Sequence, residues 1–295
     1  MGRKRIPSAA AAAGRLPDFV IIGAMRAGST SLARYVGAHP GVSMPSRKEL
    51  HFFDWQWDKG LDWYRAQFRG AAPGAIAGEA TPIYMVYHEA MERLAATIPG
   101  ARLLVVLRDP VARAYSHYWY NRMLGFEALG FREALEAEAS RPSGSTDRRT
   151  FDYVERGRYL VQLERVCALF PRESLHVVIL EDLVGAPAPT YTEVCRFLGI
   201  DASFLPPNIG EPMNSHAVYR SKVVAKLARA MPEPLRSAAR RMNRREARYE
   251  PMDPELRREL VLRFRYENEA LAAWLGKDLS GWGQAGDRER PARRP

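Results

Sequence analysis

Residues 18–30 read DFVIIGAMRAGST. The apolar run Phe19-Val20-Ile21-Ile22 halts at Gly23, a short loop follows, and Thr30-Ser31-Leu32 opens a helical pattern. Strand, glycine loop and helix in that order form the layout of a phosphate-binding loop, in which amide N–H groups at a helix N-terminus face an anion. Gly23 and Gly28 stand at the G-x-x-x-x-G spacing, but Ser29 and Thr30 follow where an ATP or GTP site carries Lys and then Ser or Thr. The backbone cradle from Ala27 to Thr30 is kept and the triphosphate lysine is lost, while Arg26 supplies a cation inside the loop. The stretch reads as a grip for a phosphate-bearing nucleotide that is poorly equipped to hydrolyse ATP. By itself it leaves an ordinary tight strand-to-helix turn equally open.

The chain has 295 residues, 46% of them apolar, which supports a sizeable core in one large or two small domains. Its formal charge of +10 points to an anionic partner or substrate, and nucleic acid, nucleotide and acidic glycan satisfy that charge equally. The two cysteines, Cys167 and Cys195, give neither a disulfide framework nor zinc-ligand spacing. No metal site is expected. Neither a signal peptide nor an apolar run long enough to span a membrane is visible, so the expectation is a cytoplasmic protein. Residues 1–16 and 283–295 read as disordered tails by composition, around one domain at 17–282.

Short β-branched runs at 19–22, 75–78, 103–107 and 175–180 alternate with helical patterns that begin near Ser29, His88, Val111, Phe131, Tyr159, Thr190, Ser221 and Pro254. That alternation predicts an α/β, P-loop-like three-layer fold with a central, mainly parallel sheet flanked by helices. LLVVL and LHVVIL read as its buried central strands.

Three further segments bear on the chemistry. In 47–54, RKELHFFD, Glu49 and His51 would share one face of an extended segment, with Leu50 on the other. Glu49 so placed could take a proton from an attacking hydroxyl or amine, and Arg47 or Lys48 could hold a transferring anionic group. A solvated charge cluster before an aromatic anchor is the competing reading of this segment. In 103–119, LLVVLRDPVARAYSHYW, a strand ends at Arg108, where ligands bind in open α/β sheets. Asp109-Pro110 then starts a helix, and Ser116 lies about two turns along it. Arg108 and Ser116 could hold a second phosphate, and Asp109 reads as a helix cap. In 78–84, GEATPIY, Glu79 stands at a strand end. The aromatics Phe52, Phe53, Trp55, Trp57, Trp63 and Tyr64 suit an acceptor cleft or a core equally.

IIGAMRAGSTSL, KELHFFD, GEATPIY and RDPVARAYSHY, in this order, resemble the sulfotransferases that use 3′-phosphoadenosine 5′-phosphosulfate (PAPS), especially the heparan-sulfate type and its bacterial relatives. Residues 157–183 and 248–282 extend the resemblance over about 17–282. It implies that Arg26, Ala27, Gly28, Ser29, Thr30 and Ser31 bind the 5′-phosphosulfate end of PAPS and that Arg108 and Ser116 hold its 3′-phosphate. It implies Glu49 as the catalytic base, with His51 catalytic or on the acceptor side and Lys48, Asp54 and Glu79 near the acceptor. The basic run 240–249 resembles the loop that closes over the nucleotide, with Arg244, Arg245, Arg248 and Tyr249 as candidates. Many members carry Lys at the position of Arg26, and Arg keeps the charge. Members acting on heparan often carry Lys where this chain has Ala80, a departure that removes a charge near the acceptor.

The implied reaction is in-line transfer of a sulfuryl group from PAPS, without a metal, to a hydroxyl or amine of a small-molecule, glycan or lipid acceptor. The alternatives are a P-loop kinase, which the missing Gly-Lys-Ser/Thr ending disfavours, and a basic nucleic-acid-binding protein, for which no motif appears.

Overall fold

The run Phe19–Gly23 is fully buried, as a strand covered on both faces must be, and it forms the middle strand of a five-stranded sheet. The computed structural model describes residues 14–141, 151–211, 217–219, 231, 244–246 and 250–284. In chain order the elements are β1 (Phe19–Gly23), α1 (Ser29–Gly37), β2 (Val42–Ser43), α2 (Gly60–Ala66), β3 (Ile76–Ala80), α3 (His88–Thr97), β4 (Arg102–Leu107), α4 (Pro110–Leu124) and α5 (Phe131–Ser140). They continue with α6 (Tyr159–Cys167), β5 (Leu175–Ile179), α7 (Leu180–Gly185), α8 (Pro187–Leu198), β6 (Ala217–Tyr219), β7 (Arg244–Glu246) and α9 (Pro254–Leu275).

The described chain falls into two compact units, one of residues 1–108 and 158–211 and the other of 109–157 and 212–295. The first holds the sheet, in the order β2-β3-β1-β4-β5 with every pairing parallel. Val20 sits between Glu79 of β3 and Leu103 of β4. The chain fills one side of β1 with β2 and β3, then crosses to the other side with β4 and β5, so the order reverses at β1. Ligands of open α/β sheets bind outside the carboxyl ends of the strands at such a switch, and here that end carries the glycine loop. The expected α/β class and parallel sheet hold, flanked by helices.

In the second unit, Leu256, Leu260 and Phe264 on α9 join Val111, Ala114 and Tyr118 of α4 and Phe131 of α5 in one apolar cluster. Asp109 caps α4, accepting from the amide of Val111 at 2.8 Å, with Pro110 in the first turn. It also accepts from the amide of Gly283 at 3.0 Å.

Several readings needed correction. Helix α8 begins three residues before Thr190, because Pro187 is comfortable in a first turn. Helices α2 and α7 and the two-residue strand β2 had no periodic signal long enough to find. The antiparallel pair β6–β7 places Arg244 and Arg245 on a strand. The expected helix near Ser221, and the candidates Arg248 and Tyr249, lie outside the described residues, as do most of both tails. Among the described residues no helix is long and apolar enough to cross a membrane.

Candidate active site

The glycine loop joins β1 to α1 and is tied to the sheet by the amide of Ala24, which donates to the carbonyl of Val106 at 2.9 Å. Gly28 stands before the first turn of α1 at φ 99°, a left-handed conformation that side chains disfavour. A Cβ there would lie 2.5 Å from Cδ1 of Leu180, and one on Gly23 would lie 1.7 Å from Sδ of Met85. The amide of Ala27 turns inward to the carbonyl of Ala24 at 3.2 Å, so it is not a free donor of the cradle. What the loop can offer an anion are the amides of Gly28, Ser29 and Thr30, at the end of α1 where intrahelical acceptors run out. The residues present therefore fit a phosphate, with one amide fewer than the sequence suggested.

Among the described residues three non-glycines have positive φ: Arg26 at 68°, Glu49 at 55° and His51 at 53°. Each such residue costs on the order of 1–3 kcal/mol, and that kind of cost concentrates at functional sites. Glu49 and His51 are thus not on an extended segment. Their side chains still meet, because two left-handed residues flank Leu50, which is fully buried.

A continuous line of polar contacts runs from the loop to these residues. Lys48 Nζ donates to Thr30 Oγ1 at 2.5 Å and stands 3.6 Å from Glu49 Oε1. Glu49 Oε2 lies 3.7 Å from His51 Nε2, and His51 Nδ1 is 2.9 Å from Asp54 Oδ2. Asp54 Oδ1 accepts from the amide of Trp55 at 2.7 Å. Burial pushes the His51 imidazole down, but the hydrogen bonds to Asp54 and Glu49 outweigh it and raise its pKa to about 9. His51 is therefore an imidazolium at neutral pH. Its hydrogen bond, against a smaller opposing effect of burial and with help from Lys48, holds the Glu49 carboxyl below the usual carboxylate range. Lys48 and Glu49 are each nearly half exposed, so their pairing adds about 1 kcal/mol or less to stability and serves mainly to place charge.

The aromatics grade from core to surface, with Trp57 and Trp63 half-buried between the two. Phe52, Phe53 and Tyr64 are core, with Phe52 stacked on Tyr64 at 4.3 Å between ring centroids. Trp55 is 60% exposed and stacks on the His51 ring at 4.0 Å. Glu79 is 1% exposed. Its Oε1 accepts from the Tyr64 hydroxyl at 2.8 Å and the Tyr84 hydroxyl at 3.3 Å, and its Oε2 accepts from the Thr81 hydroxyl at 2.7 Å. The sequence reading placed Glu79 beside the acceptor, left Tyr64 to an acceptor cleft or the core, and gave Thr81 and Tyr84 no role. Only Thr81 and Tyr84, within GEATPIY, carried a signal.

A cavity of about 210 Å3 opens beside this line, bordered by Arg34, Arg47, Lys48, Met44, Ala80 and, at its floor, the buried Glu79. Arg108 follows β4, half-buried, and its carbonyl accepts from the Tyr159 hydroxyl at 2.9 Å. Ser116 is buried on α4, within the second unit.

A family model described as "Sulfotransferase domain" matches residues 16–244, more than half of the chain. The chain belongs to the sulfotransferase domain family. This sulfotransferase-family chain is 35% identical over 191 residues to human "Heparan sulfate glucosamine 3-O-sulfotransferase 3B1", covering 63% of itself and 47% of that protein. It is 34% identical to mouse "Heparan sulfate glucosamine 3-O-sulfotransferase 6", covering 67% of itself and 58% of the relative. It thus spans about half the length of the curated relatives it matches. A sulfotransferase from Alicyclobacillus acidocaldarius, known from a crystal structure, is 28% identical with a TM-score of 0.71, over 91% of this chain and 99% of that one.

Proposed function

We propose that this protein transfers a sulfuryl group from PAPS to a hydroxyl of a glycan or small-molecule acceptor, with amines and lipid hydroxyls as further candidates. The observation that carries the reading is the line Thr30–Lys48–Glu49–His51–Asp54, which joins a phosphate cradle to a poised carboxylate inside a sulfotransferase-family fold. A P-loop kinase reading has no lysine at the end of the loop to support it, and family membership also outweighs the nucleic-acid reading.

The amides of Gly28, Ser29 and Thr30 and the Arg26 cation would receive the 5′ end of the donor and offset charge growing on the departing phosphate oxygen. A single well-placed donor of this kind is typically worth about 3–4 kcal/mol. Lys48, between Thr30 and Glu49, is positioned to hold the group in transit. Glu49, ionised at neutral pH, accepts the acceptor's proton. Its lowered pKa is no obstacle, because the hydroxyl becomes acidic only as its oxygen bonds to sulfur, and the proton then moves downhill. His51 and Asp54 keep the carboxylate aimed and charged. The acceptor would enter the cavity bordered by Arg34, Arg47 and Lys48, cations that stand beside a position where Ala80 brings none. Arg108 and Ser116 remain the proposed 3′-phosphate ligands, Ala27 and Ser31 proposed members of the 5′ site, and Arg244, Arg245, Arg248 and Tyr249 proposed closing residues. The free thiols of Cys167 and Cys195 suit a reducing compartment, which supports the cytoplasmic reading, and the likeness to a bacterial sulfotransferase supports a bacterial-type enzyme.

Calorimetric titration with adenosine 3′,5′-bisphosphate, against ATP-magnesium, tests the reading. Tight binding of the bisphosphate with weak binding of ATP is expected. Tight ATP binding without preference for a 3′-phosphate would overturn it.

A further inference from the structure

We infer that Glu79, buried beneath the loop that carries Glu49 and His51, is the positioning residue that fixes this loop through the hydroxyls of Thr81 and Tyr84. The inference rests on the sulfuryl-transfer reading for its kinetic consequences and on geometry alone for its structural ones.

A hydroxyl has one proton to donate and lone pairs to accept with. Thr81 gives its proton to Glu79 Oε2 at 2.7 Å, and its oxygen accepts the amide of His51 at 3.4 Å. Tyr84 gives its proton to Glu79 Oε1 at 3.3 Å, and its oxygen accepts the amide of Phe52 at 2.8 Å and that of Phe53 at 3.4 Å. Three consecutive loop amides are thus received by two hydroxyl oxygens, and both hydroxyls are turned the right way whenever Glu79 is ionised, because an acceptor-only carboxylate claims their protons. Tyr64 donates to the same carboxylate at 2.8 Å but holds no loop amide, so it serves as an internal control. The loop needs such an anchor because Glu49 and His51 both sit in left-handed backbone, which local preference alone would relax.

The arrangement makes Gln a poor substitute for Glu79. Its amide group donates two protons, so at least one of the three hydroxyls must reverse. A reversed Thr81 or Tyr84 would aim its proton at a loop N–H. Protonation of Glu79 would act in the same way. Burial, only partly opposed by the hydrogen bonds from Thr81, Tyr64 and Tyr84, raises its pKa to about 7. The ionisable groups that face it are Tyr64 from α2, Tyr84 from the turn after β3 and His51 from the loop.

The test compares Glu79→Gln, Tyr84→Phe and Tyr64→Phe in the full chain. Its readouts are kcat, KM for PAPS, affinity for adenosine 3′,5′-bisphosphate, thermal midpoint and the His51 imidazole pKa by NMR. Glu79→Gln and Tyr84→Phe are expected to lower kcat about tenfold or more, since small displacements of reacting groups are costly. In both, KM for PAPS and bisphosphate affinity should stay within about twofold, and the His51 pKa should fall from about 9 towards the ordinary 6.5. Tyr64→Phe should lower the thermal midpoint without moving the His51 pKa. If Glu79→Gln folds poorly, Tyr84→Phe carries the comparison. Wild-type His51 titration in both Glu79→Gln and Tyr84→Phe, or turnover falling in all three variants in step with stability, would overturn the inference. A wild-type protein that neither binds the bisphosphate nor transfers sulfuryl would instead sink the functional reading, and the His51 titration would still decide the positioning claim.

Discussion

At the scale of the residue, Glu49 gathers the most consequences. It has a strained backbone, an imidazolium on one side and an ammonium on the other, and a carboxyl held ionised. Glu49→Gln keeps the shape and removes the proton acceptor. Turnover with PAPS should fall by about 10²–10⁴, the usual worth of a positioned base, while the dissociation constant for adenosine 3′,5′-bisphosphate stays near that of the wild type. Near-normal turnover of this variant would reassign the base. The sequence offered Glu49 and His51 as a pair, because charged side chains two apart in a short segment are visible in one dimension, while Asp54 entered only through the family resemblance. It did not show that Asp54 holds His51 charged, nor that His51 in turn depresses Glu49. Those effects depend on burial and on distances of a few ångströms, which spacing does not encode.

At the scale of the element, the turn from β1 into α1 is the most constrained. Gly28 enters α1 at φ 99° with Leu180 of α7 against the position a Cβ would take. Gly28→Ala should destabilise the fold by about 1–3 kcal/mol, the cost of a left-handed non-glycine, before any contact with Leu180 is counted. It should also weaken bisphosphate binding, because the amides of Gly28, Ser29 and Thr30 would turn with the backbone. Unchanged denaturation and binding would show that the loop tolerates another conformation. Local chemistry announced this turn, as it announced the Asp109 cap and Pro110 first turn of α4, because glycine, proline and capping side chains act on their immediate neighbours. The inward turn of the Ala27 amide had no such signature, since its acceptor is set by how tightly the loop folds back on Ala24.

At the scale of the whole molecule, buried ionisable groups set how stability depends on pH. His51 is raised to about 9, Glu79 to about 7, and Glu138 is also raised, chiefly by burial. A group whose folded-state pKa lies above its unfolded value stabilises the fold fully below the unfolded value. That contribution is lost as pH rises through the folded value. For Glu79 the loss runs from about 4.5 to about 7, and for His51 from 6.5 to about 9. Glu49, shifted the other way, is ionised in the fold throughout this range and adds only a small opposing slope near pH 5, where the unfolded carboxyl still holds some proton. Urea midpoints measured from pH 5 to pH 9.5 should therefore fall steadily, with Glu79→Gln flattening the lower part and His51→Gln the upper. A midpoint that rises over this range would contradict both assignments.

The sequence alone determined the parallel α/β architecture and the family resemblance, and it pointed to the segments proposed for the phosphate grip and the base. Each rests on short-range patterns: apolar runs, a glycine spacing, a capping pair, charges close in the chain. The tertiary structure alone decided what surrounds Glu79. Tyr64, Thr81 and Tyr84 meet its carboxylate from α2, from just beyond β3 and from the turn that follows, and Thr81 and Tyr84 then receive amides of residues 51–53. It also decided that Phe52 and Phe53 are core while Trp55, two residues on, faces outward over His51. The physical reason is the same in both cases. Burial and hydrogen-bond direction arise from groups brought together across the fold, and no residue carries them before its partners arrive.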